Sequence, residues 1–413
     1  MAVRNGIIKI NEYIGNMYSK LKVNIFNINT PISLFVTTTG VLLILCCLQL
    51  KAQTVQTNGS LSTDIITGVP FLLIIPDART GAMGDAGVAA LPDQNASAIN
   101  PSKLAYMDQP YGISMSYSPW LSNLKADINL AFLSAYYKID ERNTIGTSLR
   151  YLSLGTVQLF DANSQDLGNY SPNEFAFDVT YARKFGNFSL GTALRYIRSD
   201  LVSGQLSTGS SGYAGNAIAM DASAYVRKPT IIFGTDALLA FGLNISNIGT
   251  KIGYNDAGNK FFLPANMRLG AASTFIFNDE NEFTFSLDLN KLLVPSQPVY
   301  NDDGKIISGK DPNVSVPAGI FNSFSDAPGG AGEELKELSI GTGMEYTYHK
   351  KIALRGGYSY ENPEKGDRRY FTVGAGLKYQ LFVLDLAYMI AGAQNSPLAN
   401  TLRFTLTFSP ARK

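Results

Sequence analysis

The chain contains one residue of the type that most often serves as the base in acid–base or nucleophilic catalysis, a histidine. Its only histidine, His349, is followed by Lys350 and Lys351. A hydrolase needs a nucleophile held beside a base, as in a Ser–His or Asp–His couple, and this chain has one histidine with which to build it. The sequence places His349 in a short polar turn, where we expect its ring to be solvated. We therefore expect no enzymatic activity.

Two short motifs resemble ligand-binding loops but are incomplete. Residues 301–304, Asn-Asp-Asp-Gly, look like the start of a calcium loop, yet the later ligands are missing, so an ordinary turn is favoured. The spacing of Gly81, Gly84 and Gly87 could suggest phosphate binding. It lacks the Gly-Lys-Ser/Thr of a nucleotide loop and follows no βαβ unit, so a packing role is favoured. We expect no cofactor and no metal ion.

The start of the chain has the pattern of a secretory signal peptide. Lys20 and Lys22 precede an apolar run over residues 32–48, and Ala52 is a small residue at a plausible cleavage site. A transmembrane anchor is the alternative, although the run falls just short of the ~20 apolar residues that a spanning helix needs. We predict a signal peptide over residues 1–52.

The cysteines and the net charge exclude further classes of site. Cys46 and Cys47 both lie in the predicted signal peptide, so the mature chain would carry no thiol for a disulfide or a Cys-based metal site. The net charge of +1 gives no basis for nucleic-acid binding, and no nucleic-acid partner is expected.

Composition and periodicity of the remaining chain indicate β-structure. The whole chain of 413 residues contains 22 Tyr and 23 Phe, nearly all of them after residue 52, and charged residues make up 16% of it, below the ~25% of ordinary soluble domains. From Thr401 to Phe408, every second residue is Leu or Phe and the residues between them are Thr or Arg. The stretch from Glu282 to Asn290 alternates in the same way. A period of two is typical of strands with one apolar face, and a membrane barrel needs such a face toward lipid.

The pattern predicts an all-β fold: a transmembrane antiparallel β-barrel of about fourteen strands, formed by residues 111–413. The predicted strands lie near residues 111–118, 125–139, 143–155, 173–184, 188–201, 215–228, 234–249, 264–277, 282–292, 335–348, 351–362, 368–379, 383–392 and 401–408. Tight turns alternate with longer polar connections, as in barrels with periplasmic turns and extracellular loops. The even strand number would place both termini in the periplasm. A soluble β-sandwich would not explain this alternation.

Charged residues on the second face of the strands are expected to point into the barrel, because a charge facing hydrocarbon costs ~2–4 kcal/mol. The predicted lumen charges are Arg150, Arg195, Arg355, Arg403, Asp178 and Asp288. They could line a conduit, or they could form a network of ion pairs that fills the barrel. The near balance of positive and negative charges favours the network.

Residues 53–110 differ from the predicted strands and are expected to form a periplasmic or plug segment inside the barrel mouth. An apolar run between Pro70 and Pro76 is followed by a stretch rich in Gly and Ala. The residues that define this plug motif are Asp77, Arg79, Gly81, Gly84, Asp85, Gly87, Asn100 and Pro101.

The plug motif also carries a resemblance to a known family. The run from Pro76 to Ala89, together with the run from Asn100 to Ala105, resembles the N-terminal region of the PorV family. PorV proteins are outer-membrane barrels of the type IX secretion system and are related to the FadL-type fatty-acid transporters. The resemblance extends over the mature chain, since a plug followed by a barrel of this size is the plan of that family. It implies a location in the cell outer membrane.

The resemblance also implies a set of partners. PorV-like barrels associate with the large outer-membrane translocon barrel of the system. They receive secreted cargo proteins through a C-terminal signal domain and pass them to the surface attachment complex. Membrane lipid would surround the barrel. FadL-like relatives instead bind a long apolar ligand in the lumen, so a channel for uptake of hydrophobic small molecules is the alternative function.

The longest predicted loop, residues 291–334, contains an apolar stretch where a loop should be solvated. Within it, Ile320, Phe321 and Phe324 are candidates for docking a partner protein, because exposed apolar groups on loops usually mark contact surfaces. The alternative is that the loop folds back over its own barrel mouth.

Overall fold

The computed structural model describes residues 65–120, 127–160, 165–202, 204–205, 211–255, 260–391 and 401–410. The predicted signal peptide, residues 1–52, and the first part of the predicted plug segment, residues 53–64, lie outside the described residues. What is described is a barrel together with the segment that it encloses.

Fourteen antiparallel strands form a closed barrel, and β1 pairs with β14 to close it. The strands are β1 (Tyr111–Pro119), β2 (Asn129–Lys138), β3 (Asn143–Ser153), β4 (Asn173–Phe185), β5 (Phe188–Asp200), β6 (Gly215–Ile232), β7 (Thr235–Gly249), β8 (Asn266–Ile276), β9 (Glu282–Leu292), β10 (Leu338–Tyr348), β11 (Ile352–Tyr360), β12 (Tyr370–Tyr379), β13 (Phe382–Ala391) and β14 (Leu402–Phe408). The prediction of an all-β barrel with fourteen strands is confirmed.

The two faces of each strand differ as the alternation predicted. In β14, Arg403 and Thr405 are buried, whereas Phe404 and Leu406 are exposed on the outer surface. Because successive side chains of a strand point to opposite faces, the apolar set of each strand faces lipid and the polar set faces the lumen. At the seam, the hydroxyls of Ser116 and Thr405 are hydrogen-bonded at 2.8 Å on the lumen side.

The two ends of the barrel carry different connections. Short turns join the strands at one end, the turn end, at residues 139–142, 186–187, 233–234, 277–281, 349–351 and 380–381. Longer connections join them at the other end, the loop end. The usual orientation of outer-membrane barrels places the turn end in the periplasm and the loop end outside the cell.

The segment that precedes β1 runs through the inside of the barrel from one end to the other. At the loop end, the Gly68 amide donates to the Phe262 carbonyl in the β7–β8 connection, at 2.9 Å. The segment then contains a 3₁₀ turn, Pro70–Leu73, the short helix α1 (Ala78–Gly81) and two further 3₁₀ turns, Ala96–Ala98 and Pro101–Tyr106. It reaches the turn end where β1 begins.

The first and last barrel strands, β1 and β14, begin and end at the turn end, as an even strand number requires. The described part of the plug segment begins at the loop end, at Ile65, and threads the lumen before β1 starts. Because residues 53–64 lie outside the described residues, the periplasmic placement of the start of the mature chain stays a prediction.

The connection between β9 and β10 is folded. The short strands Val299–Tyr300 and Ile306–Ser308 form a hairpin, followed by the helices α2 (Val316–Asn322) and α3 (Ala331–Lys336). Among the described residues, no helix has the length and apolar character needed to cross a membrane.

Candidate functional site

Arg79 of the plug joins the inner wall of the barrel through a chain of ion pairs. Its Nε and Nη2 donate to the two carboxylate oxygens of Glu345 at 2.9 and 2.7 Å, and its Nη1 pairs with Asp93 at 2.9 Å. Glu345 also pairs with Arg355 at 2.5 Å, and Arg355 pairs with Asp385 at 2.7 Å. The bidentate Arg79–Glu345 contact fixes both position and orientation, because guanidinium and carboxylate are planar.

Asp85 makes a second connection between plug and wall. Its carboxylate accepts a short hydrogen bond from the Tyr370 hydroxyl and pairs with Arg403 at 3.2 Å. The Arg403 guanidinium also lies over the Trp120 ring, 5.6 Å from its centroid. Gly81 lies against Arg403, where a Cβ atom would overlap the guanidinium. The plug motif thus leaves room for a wall cation that one of its own carboxylates neutralises.

A third connection surrounds the peptide unit of Gly87. The wall carboxylate of Asp288 accepts from the amides of Gly87 and Val88 at 2.8 and 2.9 Å. From the other side, the buried Lys103 ammonium donates to the Gly87 carbonyl at 2.8 Å. Burial lowers the pKa of Lys103, because the charged form loses its hydration inside the barrel.

The Asn100-Pro101 pair explains how the last part of the plug is held. The side-chain amide of Asn100 donates to the carbonyl of Val88 in the plug at 2.9 Å and to the carbonyl of Ala224 in β6 at 3.1 Å. It thus joins the Val88 and Asn100 parts of the plug to each other and to β6. Its side-chain oxygen accepts from the Ser102 amide at 3.2 Å and so caps the following 3₁₀ turn. Pro101 fits at the first position of that turn, where no amide donor is needed.

Asp77 caps the short helix α1. One carboxylate oxygen accepts from the Thr80 amide at 2.7 Å, which satisfies a free amide at the helix start. The residue is fully buried, and burial together with the nearby Asp93 carboxylate raises the pKa of Asp77 to about 6. Its second oxygen has no hydrogen-bond partner among the described residues.

Glycines allow the plug backbone to touch the wall. Gly84 has φ +63° and lies against the backbones of Thr342 and Tyr358 in β10 and β11. A Cβ at the wall residues Gly343 or Gly357 would overlap the backbone of Met83 or Gly84. The lumen wall is therefore shaped to the plug, and the Gly81, Gly84 and Gly87 spacing serves close packing.

The remaining predicted lumen charges lie nearer the loop end. Arg195 pairs with Asp178 at 2.6 Å and with Asp221 at 3.1 Å. Arg150 instead donates to the plug carbonyls of Phe71 and Leu72, at 3.3 and 2.7 Å. Arg150 therefore binds backbone rather than a carboxylate, which the alternation of the sequence could not show.

An apolar cluster formed by the chain itself fills part of the loop-end half of the lumen, beside these charges. Val69, Phe71 and Leu72 of the plug form one cluster with Ile128, Leu130, Leu152, Ala176, Ile197, Ala217, Ala219, Ile252 and Leu263 of the barrel, and with Trp120. At the turn end, a polar cavity of about 380 Å³ adjoins Arg79, Asp93, Lys350, Lys351 and Lys378.

The β9–β10 connection presents apolar side chains at the loop end. Phe321 is 77% exposed, Phe324 is 48% exposed and Leu335 is 69% exposed, while Ile320 is half-buried in α2. We refer to Ile320, Phe321, Phe324 and Leu335 as the loop patch. Gly319 of α2 packs against the Phe262 ring of the neighbouring connection, so the patch is seated on the barrel and its aromatic groups face outward.

A buried ionic cluster fixes this connection in place. Lys291 at the end of β9 pairs with Glu334 and Glu337 at 2.9 and 2.7 Å. Lys365 from the β11–β12 connection pairs with Glu333 at 2.5 Å and with Glu337 at 3.2 Å. Two connections are thereby joined around α3. The loop folds onto the barrel, as one alternative predicted, and Phe321 remains exposed. Docking of a partner protein by this loop stays a prediction.

The residues considered for catalysis do not form a site. His349 lies in the turn between β10 and β11 and pairs with Glu280 of the neighbouring turn. Within the part of the chain that the structure describes, no three His, Cys, Asp or Glu side chains are grouped so as to hold a metal ion.

The sequence matches a family model over a long range. Residues 57–299, more than half of the 413 residues, match the model described as Type IX secretion system protein PorV. The chain belongs to the PorV family. It is an outer-membrane β-barrel, and the predicted family and location are confirmed.

Several solved outer-membrane channels have a similar barrel. The toluene transporter TodX of Pseudomonas putida is 12% identical, with 81% of this chain and 98% of that chain covered and a TM-score of 0.49. The Ralstonia pickettii toluene transporter TbuX is 12% identical, with 82% and 98% covered and a TM-score of 0.43. A Pseudomonas aeruginosa FadL homologue is 12% identical, with 81% and 98% covered and a TM-score of 0.43. No functional conclusion follows from these similarities. The curated proteins gave no match.

The PorV-family match covers the plug and the strands through β9, and the loop patch lies beyond it. Within the barrel, the structure brings the plug motif into contact with two of the predicted lumen charges, Arg403 and Asp288, and links it to Arg355 through Glu345. Arg150 contacts the plug outside the motif, at Phe71 and Leu72. The loop patch lies apart, at the outer rim.

Sequence reasoning missed two residues of this PorV-family chain, Tyr370, which binds Asp85, and Leu335, which is exposed in α3. The alternation does place Glu345 and Asp385 on the lumen face, where they bind Arg79 and Arg355. Nothing in the sequence shows which cation each of these carboxylates meets.

Proposed function

We propose that this chain acts as the PorV component of a type IX secretion system and not as an enzyme. In this role it binds the large translocon barrel in the outer membrane. It receives secreted cargo through a C-terminal signal domain and passes it to the surface attachment complex. Family membership supports the secretory role. The observation that carries the partner contact is the loop patch, with Phe321 exposed on a loop that buried ion pairs hold in place.

The energetics of the loop patch support a docking role. Burying a Phe or Leu side chain contributes about 1.5–3 kcal/mol, so Phe321, Phe324 and Leu335 together could supply most of the affinity of a micromolar contact. The Lys291 and Lys365 ion pairs already order α3. Association then loses less conformational entropy than it would with a flexible loop.

The enclosed plug supports a function at the surfaces of the barrel. Ion pairs and backbone contacts tie it to β10, β11, β12 and β14, and hydrogen bonds tie it to β6 and β9. Uptake of hydrophobic small molecules, the alternative, would need an apolar site in the lumen. Val69, Phe71 and Leu72 fill the apolar part, and a ligand would have to displace them.

The loop patch can be tested by a double substitution. Phe321→Ser with Phe324→Ser removes the aromatic groups and leaves the Lys291 and Lys365 ion pairs in place. Phe160→Ser, on a different loop-end hairpin where the ring is also exposed, is the matched control. We expect affinity purification from outer membranes to recover the large barrel with the control and at least tenfold less of it with the double variant.

Secretion provides a second measurement in the same strains. Cargo carrying the C-terminal signal domain should accumulate in the periplasm of the double variant and reach the surface normally in the control. The amount of folded barrel in the membrane should be equal in both. Full recovery of the large barrel and normal cargo secretion with the double variant would remove this proposal.

A further inference from the structure

The β6–β7 hairpin projects beyond the neighbouring wall at the turn end. Strand β5 begins at Phe188, which pairs with Val226, whereas β6 continues to Ile232 before the chain turns back into β7. On its other side the hairpin is supported by β8, whose last residue, Ile276, pairs with Asp236. The tip is therefore paired on one side and open on the side of β5.

The tip of this hairpin carries two exposed apolar side chains, Ile231 at 69% and Phe233 at 89%. Beside other turns at this end, Ile139 is 55% exposed and Tyr379 is 69% exposed. The turn residues 140–142, 186–187 and 278–281 are polar, charged or glycine, so an aromatic group at the turn position itself distinguishes the β6–β7 tip from them. Exposed aromatic and branched side chains in a polar periplasmic setting point to a contact surface.

The backbone conformation at the tip does not favour a phenylalanine at position 233. Phe233 and Gly234 have φ of 51° and 76°, so they form a two-residue turn with both residues in the left-handed region. Such turns favour Asn-Gly, and a bulky residue in the first position is strained because its φ is positive. The aromatic group is present at a position that disfavours it.

The length of the hairpin decides between a lipid and a protein partner. The stacked rings of Phe185 and Phe188, 5.2 Å apart, lie on the outer face at the end of the neighbouring wall. Phe233 lies about seven residues beyond the Val226–Phe188 pair, which is roughly 15–20 Å along the axis for a strand tilted by ~40°. The headgroup layer is about 5–8 Å thick on each side of the membrane. Measured from the Phe185–Phe188 ring pair, the tip therefore extends farther than the headgroup layer is thick.

We propose that the tip of the β6–β7 hairpin docks into a periplasmic protein that has an apolar groove with an acidic rim. Ile231 and Phe233 would enter the groove. The acidic rim is inferred from Lys228, an exposed cation on the outer face of β6 at the base of the hairpin, for which the described residues supply no ion pair. Arg183 of β4 also faces outward and lies over the Phe185 ring at 5.4 Å from its centroid. Lys184 and Arg227 lie on the lumen side, over the Tyr106 ring of the plug, at 4.6 and 4.4 Å from its centroid.

The docking uses side chains and not the free edge of β6. An unpaired strand edge can accept a strand from another protein. Here Lys228 and Pro229 lie on the free edge, and a charged residue and a proline are the usual protections of an edge against such pairing. The apolar groups beyond them at the tip remain available.

Photo-cross-linking in intact cells tests the proposal with the full chain. A benzophenone amino acid is placed at position 231, and, as the matched control, at Gln380, which is an exposed turn residue at the same end with φ 52°. We expect position 231 to give an adduct with a periplasmic protein and position 380 to give none. Adding Phe233→Asn should reduce the adduct at least tenfold. Asn-Gly is a favoured turn sequence, so this variant should fold at least as well as the wild type.

The captured protein must then bind the purified barrel in a manner that depends on the tip. We expect Phe233→Asn and Lys228→Glu each to weaken binding of the captured protein at least tenfold. Phe233→Trp keeps an aromatic side chain and should bind the captured protein as the wild type does. Adducts with lipid alone, no protein adduct at position 231, the same adduct at position 380, or binding unaffected by Phe233→Asn would each overturn the proposal. Because the hairpin and the loop patch lie at opposite ends, Phe233→Asn should leave recovery of the large barrel unchanged.

Discussion

At the scale of single residues, Arg79 connects the plug to the wall of the barrel. It binds Glu345 through two hydrogen bonds and Asp93 through a third, and all of these groups are buried or nearly so. Removing one member of a buried ionic group leaves its partners without compensation, which typically costs 3–5 kcal/mol. Arg79 is therefore the residue whose loss should weaken the plug most.

Replacing Arg79 should loosen the plug without removing the barrel. We expect Arg79→Ala to give ion conductance in planar bilayers that the wild type lacks, with Arg79→Lys intermediate because an ammonium cannot make the bidentate contact. Arg198→Ala, which removes a half-exposed Arg–Asp pair at 4.0 Å, should behave like the wild type. A closed Arg79→Ala barrel would show that other contacts suffice to hold the plug.

Asp77 gives the plug a predictable dependence on pH. Its pKa is about 6 in the folded protein, against an ordinary value of 3.8, so the folded state holds this proton more tightly than the unfolded chain. The contribution to stability is thus full below pH 3.8 and is lost as the pH rises through 6, by about 3 kcal/mol at most. Asn cannot ionise. The urea midpoint of Asp77→Asn in detergent should rise relative to the wild type between pH 4 and pH 7.5, and a constant difference would refute this account.

At the scale of structural elements, the plug and the wall are shaped to one another. Gly357 of β11 faces the lumen, where a Cβ would overlap the Gly84 backbone. Gly356 faces outward, and a Cβ at this residue would have the Thr372 carbonyl oxygen as its nearest neighbour, at 3.9 Å. Adjacent glycines of one strand therefore have opposite tolerances for a side chain.

These two glycines provide a matched pair of variants. Gly357→Val should expel the Met83–Gly84 backbone from the wall, and we expect a lower yield of folded barrel or an open, conducting one. Gly356→Val adds an apolar group on the lipid face and should fold and remain closed. Folded yield is measured by heat-dependent gel mobility. Equal folded yield and equal conductance of both variants would contradict the conclusion that the wall and the plug are shaped to one another.

The elements show which parts of the structure a sequence can predict. The period-two pattern predicted the fourteen barrel strands, because lipid on one side and a polar interior on the other impose it directly. It ended the sixth strand near residue 228, since Pro229 interrupts the alternation, while β6 continues to Ile232. The plug motif was recognised by its residue types. Its partners Glu345, Tyr370 and Arg403 were not assigned to it, because strand register and plug path bring together residues more than 260 positions apart.

At the scale of the whole barrel, the described residues form a closed wall around their own plug, and we propose two surfaces for contact with partners. The loop patch lies at the extracellular rim, and the β6–β7 tip lies at the periplasmic side. The interior holds the plug from Gly68 at the loop end to Tyr106 at the turn end. A barrel of this construction is suited to hold partners together across the membrane.

Native mass spectrometry of the wild-type chain, isolated from outer membranes through a C-terminal tag in mild detergent, tests the secretory role most directly. The account predicts a complex that contains a much larger outer-membrane barrel in fixed proportion to this chain, with cargo bearing the signal domain in part of the population. Isolation of the chain by itself, with acyl lipid bound in its lumen in place of Val69, Phe71 and Leu72, would contradict it.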